Sequence, residues 1–132
     1  MNDDLSWLLD QLVHDTVGVL HALLLSDEGM KLAHDKSLDH DTADLLSAMC
    51  TTWLTVSHQM EQLFDTGGPA LTATVETPKV QLLAVSAGKR AILATLAKSE
   101  ADPGIVGTAM AQLVERAADH LTVQARSPRT PS

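Results

Sequence analysis

An unbroken helical pattern of roughly 25 residues, Asp41 to Thr66, constrains this chain more than any other feature, and Gly67-Gly68-Pro69 closes it. At ~100° per residue, Leu45, Leu46, Met49, Trp53, Val56, Met60, Leu63 and Phe64 gather on one broad apolar stripe. Asp44, Ser47, Thr51, Thr55, His58 and Gln62 fall opposite. Asp41 and Asp44 put negative charge in the first turn, where the helix dipole favours it. A rise of about 1.5 Å per residue makes a rod of nearly ~40 Å, more than one compact domain of this size needs. The stripe is therefore expected to cover the chain's own sheet and then overrun it. Leu54 stands about 110–120° from the stripe's centre, beside Ser47, Thr51 and His58. A helix surface centred on Trp53, Leu54, Ser57 and Glu61 is expected to meet a second copy of the chain or another protein.

The flanking segments supply the sheet. Leu5, Leu8, Leu9 and Leu12 have helical spacing over residues 4–15, with Asp3 or Asp4 available as a cap, and Gly18 breaks the pattern. Val17 to Ser26 reads as a strand covered on both faces, and Asp27-Glu28-Gly29 as a hairpin loop in which Gly29 supplies a positive φ. Met30 to His34 returns as an edge strand, and Asp35 to His40 reads as a polar, solvated connection. After the long helix, Ala70–Glu76, Val80–Ser86 and Ala91–Ala97 read as three strands, joined by Thr77-Pro78 and by Ala87-Gly88-Lys89-Arg90. Asp102-Pro103 is a cap with proline at the first helical position, opening a last helix to about residue 124. Arg126 to Ser132 reads as a frayed tail. The order α-β-β-α-β-β-β-α, with short connections, predicts an α+β fold with an antiparallel sheet. One domain over residues 1–124 and a disordered tail over 125–132 follow.

Charge and composition remove whole function classes. The net charge of −8 lacks the basic footprint of a nucleic-acid binder and gives no attraction to anionic lipid. Trp7, Trp53 and Phe64 are the only aromatic side chains, too few for a base-stacking platform. The start, Met1-Asn2-Asp3-Asp4, is acidic and unlike a signal peptide, and the apolar run Val19–Leu25 is too short to cross a bilayer. A single cysteine, Cys50, excludes an internal disulfide, so a cytoplasmic location is expected.

No motif carries catalysis. Ala84-Val85-Ser86-Ala87-Gly88 approaches a nucleophile elbow, but alanine replaces its first glycine and a strand, not a helix, follows. Gly88-Lys89 resembles the end of a phosphate-binding loop, yet Leu83 and Arg90 stand where glycine and a hydroxyl residue belong. His34, Asp35, Asp39, His40 and Asp41 crowd one loop; the ligand types suit a metal, the spacing does not, and a solvated acidic loop is the ordinary reading. His21 sits within an apolar run, where a hydrogen-bonded imidazole is expected, and Cys50 at the stripe's edge reads as a small core side chain. No cofactor is expected.

Leu5-Ser6-Trp7-Leu8-Leu9-Asp10, then the hairpin from Val17 to Gly29, then Val80 to Val85 and Ala91 to Ala97, together resemble the Roadblock / dynein light-chain family over residues 4–124. Glu28 is inserted before Gly29 in the family's turn. The resemblance implies a five-stranded antiparallel sheet, with the long helix on one face and the terminal helices on the other. It implies a homodimer in which the long helices pack side by side and the strands near residues 70–76, with Leu71 and Ala73, join into a continuous sheet. It further implies a non-enzymatic module that binds a small Ras-like GTPase, similar to versions encoded beside a sensor kinase in filamentous actinobacteria. The competing reading is a small-molecule sensor domain of profilin-like architecture.

Overall fold

The computed structural model describes the backbone of residues 3–68, 72–88 and 91–126, with side chains over 5–68, 72–88 and 91–118. Three helices and five strands alternate: α1 (Asp3–Asp15), β1 (Val19–Ser26), β2 (Lys31–His34), α2 (His40–Leu63), β3 (Thr72–Glu76), β4 (Val80–Ser86), β5 (Ala91–Lys98) and α3 (Pro103–Arg126). The strands form one antiparallel sheet in the order β2-β1-β5-β4-β3. This is the element order and sheet expected from the sequence.

Side chains alternate across a strand, so each strand feeds two layers. On one face Val19, Ala22, Leu24, Leu83, Leu93 and Ala97 pack against Leu5, Leu8, Leu9 and Leu12 of α1 and Val106, Met110, Leu113 and Ala117 of α3. On the other face Leu23, Leu25, Ala84 and Ala94 meet Leu38, Ala43 and Cys50, flanked by Leu46, Trp53 and Ile92. The first layer holds most of the buried leucines, and the α2 layer is thinner.

Local chemistry sets the element ends. Asp39 caps α2, accepting from Thr42 N at 3.0 Å and Thr42 Oγ1 at 2.7 Å, and the Thr42 hydroxyl holds its carboxyl below the usual carboxylate range. At α3, Asp102 Oδ1 accepts from Gly104 N at 2.8 Å, with Pro103 opening the helix as expected. Gly18 (φ +90°) joins α1 to β1, where a Cβ would stand 2.6 Å from that of Ala101. The hairpin glycine, Gly29, has φ +90° as the turn requires.

Several boundaries differ from the expectation: β1 starts at Val19 instead of Val17, the starts of β2 and α2 and the end of β5 move by one residue, and two helix ends move further. α2 ends at Leu63, and Phe64 turns extended (φ −134°, ψ 158°), so the rod stops before Gly67. Every residue from His58 to Gly68 is exposed, and without tertiary packing a last turn has little to hold it. α3 runs to Arg126, past the expected residue 124, so Ala125 and Arg126, the start of the expected tail, are helical. Residues 127–132 lie outside the described residues, as do Ala70 and Leu71 of the expected third strand and Lys89 and Arg90 of the last hairpin.

The expected solvated connection after β2 also departs from expectation, because Asp35 is 1% exposed. Its Oδ1 accepts from Ala22 N at 2.9 Å, while its Oδ2 accepts from Ser37 Oγ at 2.5 Å and lies 3.2 Å from His21 Nδ1. The carboxylate ties β1 to the segment that enters α2. Asp35→Ala strands a buried N–H and is expected to cost about 2–4 kcal/mol, against about 1 kcal/mol for Ser37→Ala, read from urea denaturation midpoints. Among the described residues Thr95 Oγ1 is buried without a partner. Thr95→Val is therefore expected to hold or raise the midpoint, by up to ~1 kcal/mol of stability.

Candidate functional site

α2 sits on the sheet by its small residues. Only Ala43, Ser47 and Cys50 of this helix are buried. Ser47 Oγ donates to Ala43 O at 2.9 Å, Thr51 Oγ1 to Ser47 O at 2.9 Å and Thr55 Oγ1 to Thr51 O at 3.3 Å. The Ser47 and Thr51 hydroxyls on the sheet side are thus satisfied within the helix and leave no unpaired polar group there, while Thr55 is exposed. Small side chains also let the β1–β2 turn approach closely. A Cβ on Gly29 would stand 2.6 Å from Thr51 Oγ1.

This seating reverses the expected orientation of the stripe. Leu45, Met49, Val56, Met60 and Leu63 do not cover the chain's own sheet; they are 49–75% exposed. At ~100° per residue these five fall within an arc of ~60°, a continuous apolar line along the outer side of the rod. Phe64 is exposed at its end. Leu46 and Trp53 are half-buried at the flank and are the large stripe residues that touch the core. Isolated exposed leucines are ordinary, but aligned ones on a long helix mark a contact surface.

The sheet continues this surface. α2 lies nearest β1 and β2, away from the β3 end of the sheet. Ala73 pairs with Ala84 and Val75 with Leu82, which places them on the face that α2 partly covers. Val75 is 47% exposed, and β3 pairs with β4 alone among the described residues. An edge of Thr72, Ala73, Thr74 and Val75, without lysine, proline or a bulge, is open to pairing with another strand.

The residues expected to centre the surface are distributed differently. Trp53, Leu54 and Ser57 are half-buried, with Leu54 on the sheet-facing side of α2; Ser57 Oγ donates to Glu61 Oε2 at 3.3 Å, and Glu61 is exposed. Ala73 is half-buried on β3, and Leu71 lies outside the described residues. Met49, Val56 and Met60, which the sequence pattern placed on the stripe, are exposed on the outer side of the rod.

The remaining candidates take structural roles. His34 Nδ1 lies 2.8 Å from Asp35 O, Asp35 is buried, Asp39 caps α2, and no metal-holding group of three ligands occurs among the described residues. Ser86 ends β4, and Ala87 N donates to Ala91 O at 2.8 Å, closing a strand-to-strand hairpin. No helix among the described residues is long and apolar enough to cross a membrane.

A family model described as the Roadblock/LC7 domain matches residues 5–97. Among solved structures, a Roadblock/LC7 domain from Streptomyces avermitilis shares 31% identity, covering 89% of this chain and 97% of that one, with a TM-score of 0.82. MglB of Myxococcus xanthus is similar in fold at 15% identity and a TM-score of 0.76, covering 91% and 96%. Profilin IA of Acanthamoeba castellanii is a more distant fold relative, at 18% identity and a TM-score of 0.54, covering 91% and 98%. No curated protein matches the sequence.

Burial pushes the Cys50 thiol up from 9.0 to about 11. At pH 8 the folded protein is expected to resist a thiol reagent that labels the unfolded chain at once, measured by absorbance with and without denaturant. The sign of the linked pH effect follows. The unfolded chain ionises from about pH 9 and the folded one near about 11, so stability falls as pH rises through that window.

Proposed function

We propose, from the premise that this chain belongs to the Roadblock/LC7 family, that it is a homodimeric docking module without chemistry of its own, whose partner is a small Ras-like GTPase. One observation carries the reading: the apolar line Leu45, Met49, Val56, Met60 and Leu63 is exposed beside a sheet edge left open at β3. Two copies related by a twofold axis bury both at once, with α2 against α2 and β3 against β3. Apolar area is removed from water, and an edge that would otherwise recruit strands indiscriminately is closed. Trp53 and Ala73 flank that contact in this reading, whereas Leu54, Ser57 and Glu61 lie ~90° or more round α2 from its centre.

Regulation of the GTPase in this reading works by holding its switch segments and does not need an arginine supplied to the nucleotide. Arg116, the one arginine whose side chain is described, is held on the α1–α3 side, where its Nη2 donates to Gln11 Oε1 at 2.8 Å and its guanidinium lies 5.9 Å from the centre of the Trp7 ring. A rigid dimer surface that favours one arrangement of a mobile switch loop shifts the partner's population without a catalytic group.

Two measurements test the proposal. Val56→Glu with Met60→Glu is expected to halve the mass in solution by light scattering, with the circular dichroism spectrum unchanged. Leu54→Glu, on the sheet side, is expected to lower the melting temperature as well. Mixing the chain with a bacterial small Ras-like GTPase, loaded with GDP or a GTP analogue, is expected to give a complex that depends on the nucleotide. No complex in either state would reject the GTPase partner, and a monomer at high concentration would reject the dimer.

A further inference from the structure

The apolar residues on the outer side of α2 read the same from either end of the helix. Met49 and Met60 lie at equal distances from a point between Leu54 and Thr55, as do Trp53 and Val56, and Leu45 and Leu63 match to within one residue. The match holds around the helix as well as along it. Leu45 and Leu63 stand 18 residues apart, about five full turns, and so share one angular position. Met49 and Met60 fall within ~20° of each other, with Trp53 and Val56 on either side of them.

The absence of charge is the second observation. Over the ~120° of helix surface that holds these six residues, the remaining positions are Thr42, Leu46 and Thr52. Asp41, Asp44, His58 and Glu61 all fall outside it, although the chain carries a net charge of −8. An unrelated partner has no need of a surface that is the same from both ends. A contact between two copies about a twofold axis does, because each residue that meets a second one is met by it in return.

We infer, resting on the homodimer proposed above, that two copies pair their α2 helices antiparallel about a twofold axis that crosses the rod between Leu54 and Thr55. Leu45 meets the partner's Leu63, Met49 the partner's Met60 and Trp53 the partner's Val56. The register is set by the ends. Sliding the helices by about one turn sets Leu63 opposite Thr42 in one direction, and in the other sets Leu45 opposite Gly68, beyond the helix end at Leu63. The uncharged seam thereby selects both the occupant, a second copy, and a single alignment of it.

The test uses Leu45→Cys and Leu63→Cys in the full chain, treated with a short bismaleimide separately and after mixing. Both positions are exposed, so the fold is expected to withstand them, and the buried Cys50 of the parent serves as the unreactive control. A covalent dimer is expected from the mixture alone, because like positions stand ~25–30 Å apart along the pair in this register. A second pair needs no cross-link: Leu45→Glu and Leu63→Lys are each expected to lose the dimer, and mixing them to restore the doubled mass by light scattering. Light scattering of the parent separates the two readings. A monomeric parent overturns the homodimer and the register with it. A dimeric parent overturns the register alone if Leu45→Cys cross-links to itself, if the cysteine mixture gives no covalent dimer, or if the Glu and Lys variants do not rescue each other.

Discussion

The seating of α2 through Ala43, Ser47 and Cys50 is the contact on which the outer surface of this molecule depends. A helix laid on a sheet by small residues comes close but buries little. Apart from the half-buried Leu54, its large side chains are then turned to the flank or away. Ser47 and Thr51 are tolerated on the inner side because each hydroxyl bonds a carbonyl one turn back. The close approach is shared by the β1–β2 turn, where Gly29 leaves room for Thr51. The inward face thus decides the outward one: Leu45, Met49, Val56, Met60 and Leu63 have nowhere else to go.

The opposite layer supplies the rigidity that this thin contact does not. Leucines of α1 and β1, Leu93 of β5 and Met110 of α3 interlock on the other face of the sheet. Deep packing there holds β1 and β5 fixed, so the α2 side can stay lightly packed without loss of the fold. Asp35 links the two layers. Its buried carboxylate takes the Ala22 amide of a central strand and the Ser37 hydroxyl of the loop into α2, so the start of the helix follows the sheet.

The two edges of the sheet differ in character. β3 is an exposed edge with no charge before Glu76, suited to a like strand. β2 is a short edge that opens on Lys31, paired with Asp44, and is followed by the exposed Lys36. Charge blunts the β2 edge against self-association, and the β3 edge is left plain.

Much of this was legible in the residues. Period-two and period-3.6 patterns, the Asp102-Pro103 cap and the turn at Gly29 set the order of elements, because each depends only on neighbours along the chain. The length and greasy stripe of α2 were equally plain, as was the surplus of apolar surface. What the sequence could not state was which side of the helix met the sheet. Hydrophobicity assigns the larger side chains to the interior. Tertiary packing instead selected the side on which small residues allow close approach, and left the leucines and methionines outside. Asp35 is a similar case: one polar loop residue among several, it is buried because His21 and Ala22, distant in sequence, converge on it together with nearby Ser37. Local sequence therefore fixed what each segment becomes, and three-dimensional packing alone decided which of their faces remain available to other molecules, because exposure depends on how elements meet and not on what they contain.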